Sequence, residues 1–105
     1  MFKNINFEPG IIIYNDFYIN PEEALEVQVD YLKEDLFQVN YLGKYIIDLG
    51  WYPEFNTDGS FCICVVQDYN WTELIFKKHC KDLKELNKYM QECVDLIKSL
   101  IEVVF

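Results

Sequence analysis

The residue types of this 105-residue chain that can support nucleophilic, redox or metal chemistry are four cysteines and one histidine. Cys62 and Cys64 lie two residues apart in an apparent strand and share a face, whereas thioredoxin-like and zinc-binding motifs place two residues between their cysteines. His79 and Cys80 are adjacent near a strand end, so their side chains point in opposite directions and do not form a dyad. We therefore predict no catalytic residue, no metal site, no cofactor and no enzymatic activity, with reduced, mostly buried thiols.

The acidic residues are abundant, and one of them has an unusual position. Asp48 interrupts an apolar strand, so it either faces solvent in an alternating strand or lies on an exposed sheet face where a basic partner can reach it. Arginine is absent, which removes the usual bidentate clamp for phosphate or carboxylate. The four glycines are widely separated and form no phosphate-binding loop.

The charge of the chain is strongly negative and unevenly distributed. Eighteen acids face nine lysines, for a formal net charge of −9. Residues 1–58 hold eleven acids and three lysines, and residues 59–105 hold seven acids and six lysines. Such a field repels nucleic acid and anionic membranes and attracts basic partners, although solubility alone is another explanation. We predict neither a nucleic-acid nor a membrane partner.

Composition indicates one packed domain over residues 1–105. Hydrophobic residues make up 51% of the chain and aromatic residues 17%, far from the composition of disordered chains. No run approaches the ~20 apolar residues of a membrane span, and the N-terminus lacks a signal-peptide pattern. We expect a cytoplasmic protein.

A first helix is predicted from Asn20 to Leu36. Asn20 suits the N-cap and Pro21 the first helical position. At helical spacing, apolar residues fall on one face and acids on the other. The apolar set is Leu25, Val29, Leu32 and Leu36, and the acidic set is Glu22, Glu23, Glu26, Asp30 and Glu34.

Three strands are predicted in the middle of the chain, at residues 45–49, 61–66 and 72–77. Ile11–Tyr14 is consistent with a fourth strand or an extended arm. The 61–66 segment is apolar at every position, so both of its faces must be covered. The N-terminal segment, a second subunit or a partner is expected to cover the face that the helices leave open.

The last third predicts a long amphipathic helix packed on the sheet. Its apolar stripe recurs at intervals of three and four residues: Leu83, Leu86, Met90, Val94, Ile97, Ile101 and Val104. Together these elements predict an α+β fold, with an N-terminal helix, a three- to four-stranded antiparallel meander and a C-terminal helix.

Short motifs stand in a fixed order between residue 45 and about residue 90. They are IDLGWYPE at 47–54, DGSF at 58–61, Trp71 and KDLKEL at 81–86. In this order they resemble small bacterial immunity proteins of the contact-dependent growth inhibition (CDI) type. Such proteins are cytosolic antidotes encoded beside a large secreted toxin.

The resemblance implies binding without catalysis. An immunity protein of this type binds the C-terminal domain of its toxin, commonly a nuclease, and blocks the active site. A nuclease domain is usually basic, so an acidic inhibitor is complementary to it. We therefore expect a monomer that binds a basic toxin domain 1:1. The residues predicted to face the toxin are Glu23, Glu26, Asp30, Glu34, Asp48, Tyr52, Glu54 and Asp58.

Several alternatives remain open at the level of sequence. The resembling residues Trp51, Pro53, Gly59, Phe61 and Trp71 are as suited to define the hairpin and its packing as to touch toxin. The chain also fits a small acidic adaptor or a homodimeric binding module with no toxin partner. An enzyme that uses Cys62 or Cys80 is a third class, which requires a cysteine of low pKa.

Overall fold

A five-stranded antiparallel sheet forms the centre of the fold. The computed structural model describes residues 2–104 and the side chains of residues 2–102. The strands lie side by side in chain order: β1 (Ile11–Asn15), β2 (Phe37–Tyr41), β3 (Tyr45–Tyr52), β4 (Ser60–Gln67) and β5 (Phe76–Cys80). The predicted α+β class and antiparallel meander are confirmed, but the sheet has five strands where three or four were expected.

Two strand predictions need correction. The strand β2 was not predicted, and the strand expected at residues 72–77 begins only at Phe76. Residues 72–75 belong to a loop because Asn70 holds Thr72 in a turn: the Asn70 side-chain oxygen accepts hydrogen bonds from the Thr72 amide at 3.3 Å and hydroxyl at 2.7 Å. A β-propensity pattern is therefore overridden by local side-chain bonding.

The long C-terminal helix is confirmed as α1 (Leu83–Val104). Asp82 caps it, since its carboxylate accepts the Lys84 amide at 2.7 Å and its carbonyl accepts the Leu86 amide at 2.9 Å. Most of the predicted stripe is buried or half-buried, and the Val104 side chain lies outside the described residues. Within residues 2–104, no helix is long and apolar enough to cross a bilayer.

The predicted N-terminal α-helix is wrong. The segment contains only a 3-10 helix, Leu25–Tyr31, which is kinked at Gln28. Gln28 is buried, and its side chain bonds to main-chain groups of the preceding loop: it accepts the Asn20 amide and donates to the carbonyls of Asn20 and Glu23. These bonds hold residues 20–24 in a loop around the Gln28 side chain, and an α-helix over the same residues would break them. Asn20 instead forms a turn by accepting the Glu22 amide at 3.0 Å.

The end of the same segment is extended because it bonds to the sheet. The Trp51 amide donates to the Lys33 carbonyl at 2.8 Å, and the Leu36 amide donates to the Leu49 carbonyl at 3.0 Å. Leu32 and Leu36 are still fully buried, as the helical pattern required. Burial was therefore predicted correctly and conformation was not.

The core lies between α1 and one face of the sheet, which we call the covered face. Trp51 and Phe61 meet there edge to face with ring centroids 4.8 Å apart, and Phe17 stacks on Phe61 at 6.3 Å. The N-terminal segment adds Ile5 and Ile19 to this same core. It therefore packs on the same face of the sheet as α1. The alternative in which this segment covers the opposite face is wrong.

The strand β1 is an exposed apolar edge of the sheet. Its inner side pairs with β2, with a bulge between Ile12 and Tyr14. Every residue of β1 is exposed, and Ile11 reaches 68%. Bulges and twisted edges limit unwanted strand pairing, yet three consecutive isoleucines remain available to a partner strand.

Candidate functional site

The sheet face opposite α1, which we call the open face, carries the candidate site. Side chains alternate between faces along each strand, so residues paired across neighbouring strands share a face. One row across the open face is formed by Gln38, Asp48, Cys64 and Lys77, each paired with the next. The sheet register thus places a carboxylate, an amide, a thiol and an ammonium group in one line.

A groove of about 360 Å³ crosses this face. Its lining consists of Asp48, Tyr52, Cys62, Cys64, Trp71, Leu74, Lys77 and His79. Strands β3, β4 and β5 supply most of these residues, and the loop between β4 and β5 supplies two of them. Its volume lies within the roughly 300–1,000 Å³ typical of ligand-binding pockets.

The loop of residues 68–75 forms one wall of the groove. It is fixed by main-chain bonds at both ends, from Asp68 to the Lys44 carbonyl at 2.8 Å and from Ile75 to the Val65 carbonyl at 3.1 Å. Leu74 packs on a small apolar cluster of Ile46, Cys64 and Val66. It covers the open face at the Val66 end of β4. Trp71 belongs to the same loop, and its side chain is 48% exposed.

Asp48 is the half-buried carboxylate of the groove. The Gln38 side-chain amide donates to Asp48 Oδ1 at 2.7 Å. Burial raises the pKa of Asp48, the neighbouring Asp35 carboxylate raises it further, and the hydrogen bond from Gln38 opposes both. The structure places Asp48 on the open face and half-buried. Contact with a basic partner stays a prediction.

Tyr52 ends β3 beside Asp48 and is 41% exposed. Burial, Asp48 and Asp35 raise the pKa of its hydroxyl to about 12. The phenol therefore stays protonated at neutral pH and can donate a hydrogen bond. Asp35 was not among the predicted site residues, and its role follows only from the three-dimensional position of the 33–35 segment.

Gly50 lets the acidic segment of Glu34 and Asp35 reach the open face. A Cβ atom at Gly50 would overlap the main-chain carbonyl oxygen of Glu34, which lies directly against it. The Trp51 amide holds this segment through the Lys33 carbonyl. Glu34 and Asp35 are both exposed. Glu34, Asp48 and Tyr52 are the predicted site residues that the structure brings together.

The other predicted contact residues lie elsewhere on the surface. Glu23, Glu26 and Asp30 are exposed on the 20–31 segment but do not form the predicted acidic helix face, since that helix is absent. Glu54 and Asp58 are exposed on the loop between β3 and β4. None of these five acids lines the groove.

The loop between β3 and β4 is held by its resembling residues. The Trp51 indole donates to the Asn56 carbonyl at 2.8 Å, and the Gly59 amide donates to the same oxygen at 3.0 Å. A Cβ at Gly59 would lie 2.5 Å from the Tyr52 carbonyl oxygen. Trp51 and Phe61 are fully buried. These residues pack the hairpin, as one alternative proposed, while Trp71 is available for contact.

Cys62 and His79 form a pairing that the sequence did not reveal. They are opposite each other on β4 and β5, whereas His79 had been considered only with its neighbour Cys80. In the described part of the chain no hydrogen bond joins the two side chains. Burial raises the pKa of the Cys62 thiol, Asp48 adds to this, and Lys77 opposes it. The arrangement lacks the low pKa that a cysteine nucleophile needs.

The remaining thiols are buried among apolar groups. Burial raises the pKa of Cys64 to about 12 and that of Cys80 to about 11, and it also raises the pKa of Cys93. All four cysteines are free. Among the described residues, no three His, Cys, Asp or Glu side chains are grouped in a way that could hold a metal ion.

Comparison of this chain with known protein families, with curated proteins and with solved structures finds no significant match.

Proposed function

We propose that this protein is a binding module that recognises a basic protein domain through its open face. The observation that carries the proposal is the half-buried Asp48 carboxylate, set between exposed aromatic rings and the acidic Glu34–Asp35 segment. An aromatic centre inside a charged rim is a common arrangement of protein-binding hot spots.

The charge of the whole chain supports the same proposal. Residues 1–58 supply Glu34, Asp35 and Asp48 and nearly all of the excess negative charge. An excess of negative charge accelerates the encounter with a positively charged partner and selects against acidic partners. The specific form that we propose is the one implied by the CDI resemblance, in which the partner is the basic C-terminal domain of a toxin and binding blocks its active site.

The test is a calorimetric titration of this protein into the C-terminal domain of the large secreted protein encoded immediately upstream. We expect a 1:1 complex of nanomolar affinity that weakens steeply with salt. The paired change Glu34→Lys and Asp35→Lys should weaken binding by more than about tenfold, because it reverses two charges at the open face.

A matched control separates local from global charge. Glu92→Lys with Glu102→Lys changes the net charge by the same amount on exposed positions of α1, on the far side of the sheet. The control should retain affinity within about threefold at 150 mM salt, where charges more than about 8 Å apart are largely screened. Equal losses in both variants, or no complex between two folded proteins, would refute the proposal.

A homodimeric module is the second candidate function, and the exposed edge of β1 favours it. Pairing of two β1 strands would bury Ile11 and its neighbours and join two sheets. Sedimentation equilibrium tests this directly. A dimer that Ile11→Lys converts to a monomer would support it. We expect a dimer dissociation constant of about 10 µM, so a protein that stays monomeric at concentrations up to about 100-fold higher would exclude it.

A further inference from the structure

We infer that the groove on the open face binds an arginine side chain of the basic partner, with the guanidinium against Asp48 and the rings of Tyr52 and Trp71. This inference rests on the proposed function and names the contact at its centre. It identifies the groove as the position where one partner residue anchors the complex, and the exposed acids as the surrounding rim.

The carboxylate at the floor of the groove is placed for a cation. Gln38 occupies Asp48 Oδ1 and fixes the orientation of the group. In the described residues, the only ion pair joins Lys33 to Asp16, at 2.8 Å, so Asp48 has no cationic partner among them. A half-buried carboxylate of this kind gains most from a charge-assisted hydrogen bond with a partner that also covers it.

The walls of the groove favour a planar cation over an ammonium group. Tyr52 and Trp71 both line the groove and both keep a large exposed fraction. A guanidinium stacks on aromatic faces, bonds a carboxylate with more than one N–H and is less strongly hydrated than the lysine ammonium. Leu74 adds an apolar contact for the aliphatic stem of the side chain.

The other charged groups around the groove determine from which side the cation enters. Lys77 and His79 line the β5 side, where the Lys77 ammonium disfavours a second cation. Lys77 pairs with Cys64, so its main chain lies two strand spacings from Asp48, about 9–10 Å away. Glu34 and Asp35 lie on the Tyr52 side. The cation therefore enters beside Tyr52, and Lys77 excludes a second cation from the far end.

The protein contains its own reporter and its own control for this site. Of its two tryptophans, Trp71 lines the groove, whereas Trp51 is fully buried on the covered face with its indole N–H bonded to Asn56. The two indole N–H signals can be followed by NMR while the free arginine probe, N-acetyl-arginine amide, is added. We expect a saturable shift of the Trp71 signal with a millimolar Kd and no shift of the Trp51 signal.

Probe analogues and one matched pair of variants make the result specific. N-acetyl-citrulline amide has the same shape without the charge and should give no saturable shift, and the lysine analogue should bind several-fold more weakly. Asp48→Asn should raise the Kd for the arginine probe about tenfold or more. Asp95→Asn makes the same charge change at an exposed position of α1, on the other side of the sheet from the groove, and should leave the Kd within about twofold. Equal binding of arginine and citrulline, or an unchanged Kd in Asp48→Asn, would overturn the inference, as would saturable binding of inorganic phosphate at Lys77 in place of arginine.

The same variants separate this inference from the proposed function. If the toxin domain binds the wild type and Asp48→Asn with equal affinity but fails to bind the Glu34→Lys, Asp35→Lys variant, the arginine anchor is wrong and the binding function stands. If the arginine probe binds as expected and no basic domain does, the groove is an arginine site and the proposed partner is wrong.

Discussion

Replacement of Gly50 by alanine should unfold the protein at a much lower denaturant concentration, because the main chain of Glu34 occupies the space that a Cβ atom needs. The obstacle is a carbonyl oxygen and cannot rotate aside as a flexible side chain could. Accommodation requires residues 33–35 to move away from β3. That movement separates Trp51 from the Lys33 carbonyl, a bond of 2.8 Å, and strains the Leu36 to Leu49 bond of 3.0 Å.

The expected loss combines two terms. Overpacking of a close contact costs about 1–3 kcal/mol, and each main-chain hydrogen bond that is lost costs about 0.5–1.5 kcal/mol. Alanine also restricts the unfolded chain, which offsets the loss by about 0.4–1 kcal/mol. If both bonds are lost, the net expectation is a loss of about 1–5.5 kcal/mol, compared with the roughly 5–15 kcal/mol that keeps a domain of this size folded.

Gly43→Ala is the matched control. Gly43 lies in the β2–β3 turn with φ of +69° and nothing within 4 Å of an added Cβ. Alanine there carries only the cost of a left-handed backbone, about 1–2 kcal/mol. Urea unfolding followed by tryptophan fluorescence and by far-ultraviolet circular dichroism gives both free energies of unfolding. A loss in Gly50→Ala no larger than that in Gly43→Ala would refute the close packing of residues 33–35 on β3.

Three further predictions follow from single buried groups. Asp48→Asn should increase the free energy of unfolding at pH 7. The pKa of Asp48 is raised in the folded state, so the wild type loses stability as pH rises from the unfolded pKa of about 3.9 through the folded value. The gain from the variant should shrink below that pH window, and an equal gain in urea titrations at pH 3 and pH 7 would contradict the assignment. Tyr41→Phe should be neutral or stabilising by up to about 1–3 kcal/mol, because the buried Tyr41 hydroxyl has no hydrogen-bond partner in the described structure; a measured loss above about 1 kcal/mol would show that a partner such as a bound water is present. Ellman's reagent at pH 8 should modify Cys62 slowly and the other three thiols only after unfolding in urea, since burial raises every thiol pKa; native modification at the rate of free cysteine would contradict this.

The C-terminal helix was predictable because its local signals agree. The stripe from Leu83 onward, the Asp82 cap and the acidic first turn each favour the same helix, and the sheet only has to accept its apolar face. The segment from Asn20 to Leu36 shows the opposite case. Its helical pattern is genuine, but the Gln28 side chain and the bonds from Leu36 and Trp51 join it to distant main chain, and no local rule encodes those partners.

The candidate site was predictable only for residues of one strand, because side chains alternate between the two faces along a strand. Asp48 and Tyr52 are four residues apart on β3 and share a face, so the sequence could place them together. Trp71 enters the groove from a loop that had been predicted as the approach to a strand, and the Cys62–His79 pair depends on the register between β4 and β5. Register is fixed by turn geometry and by packing between strands, and neither can be read from the amino-acid sequence of one strand.

The apolar run of β4 explains why the groove lies where it does. Phe61, Ile63 and Val65 face α1, and the alternate positions Cys62, Cys64 and Val66 face the other way, so covering one side of the strand cannot bury the run. Leu74 covers the Val66 end and stops there. The Cys62 end is left open beside Asp48, and the exposed Trp71 stands at the boundary. On the open face of β4, the part that the loop leaves uncovered is therefore the part next to the half-buried Asp48 carboxylate. The arginine that we propose for this groove would place its apolar stem on the uncovered strand and its guanidinium at the carboxylate.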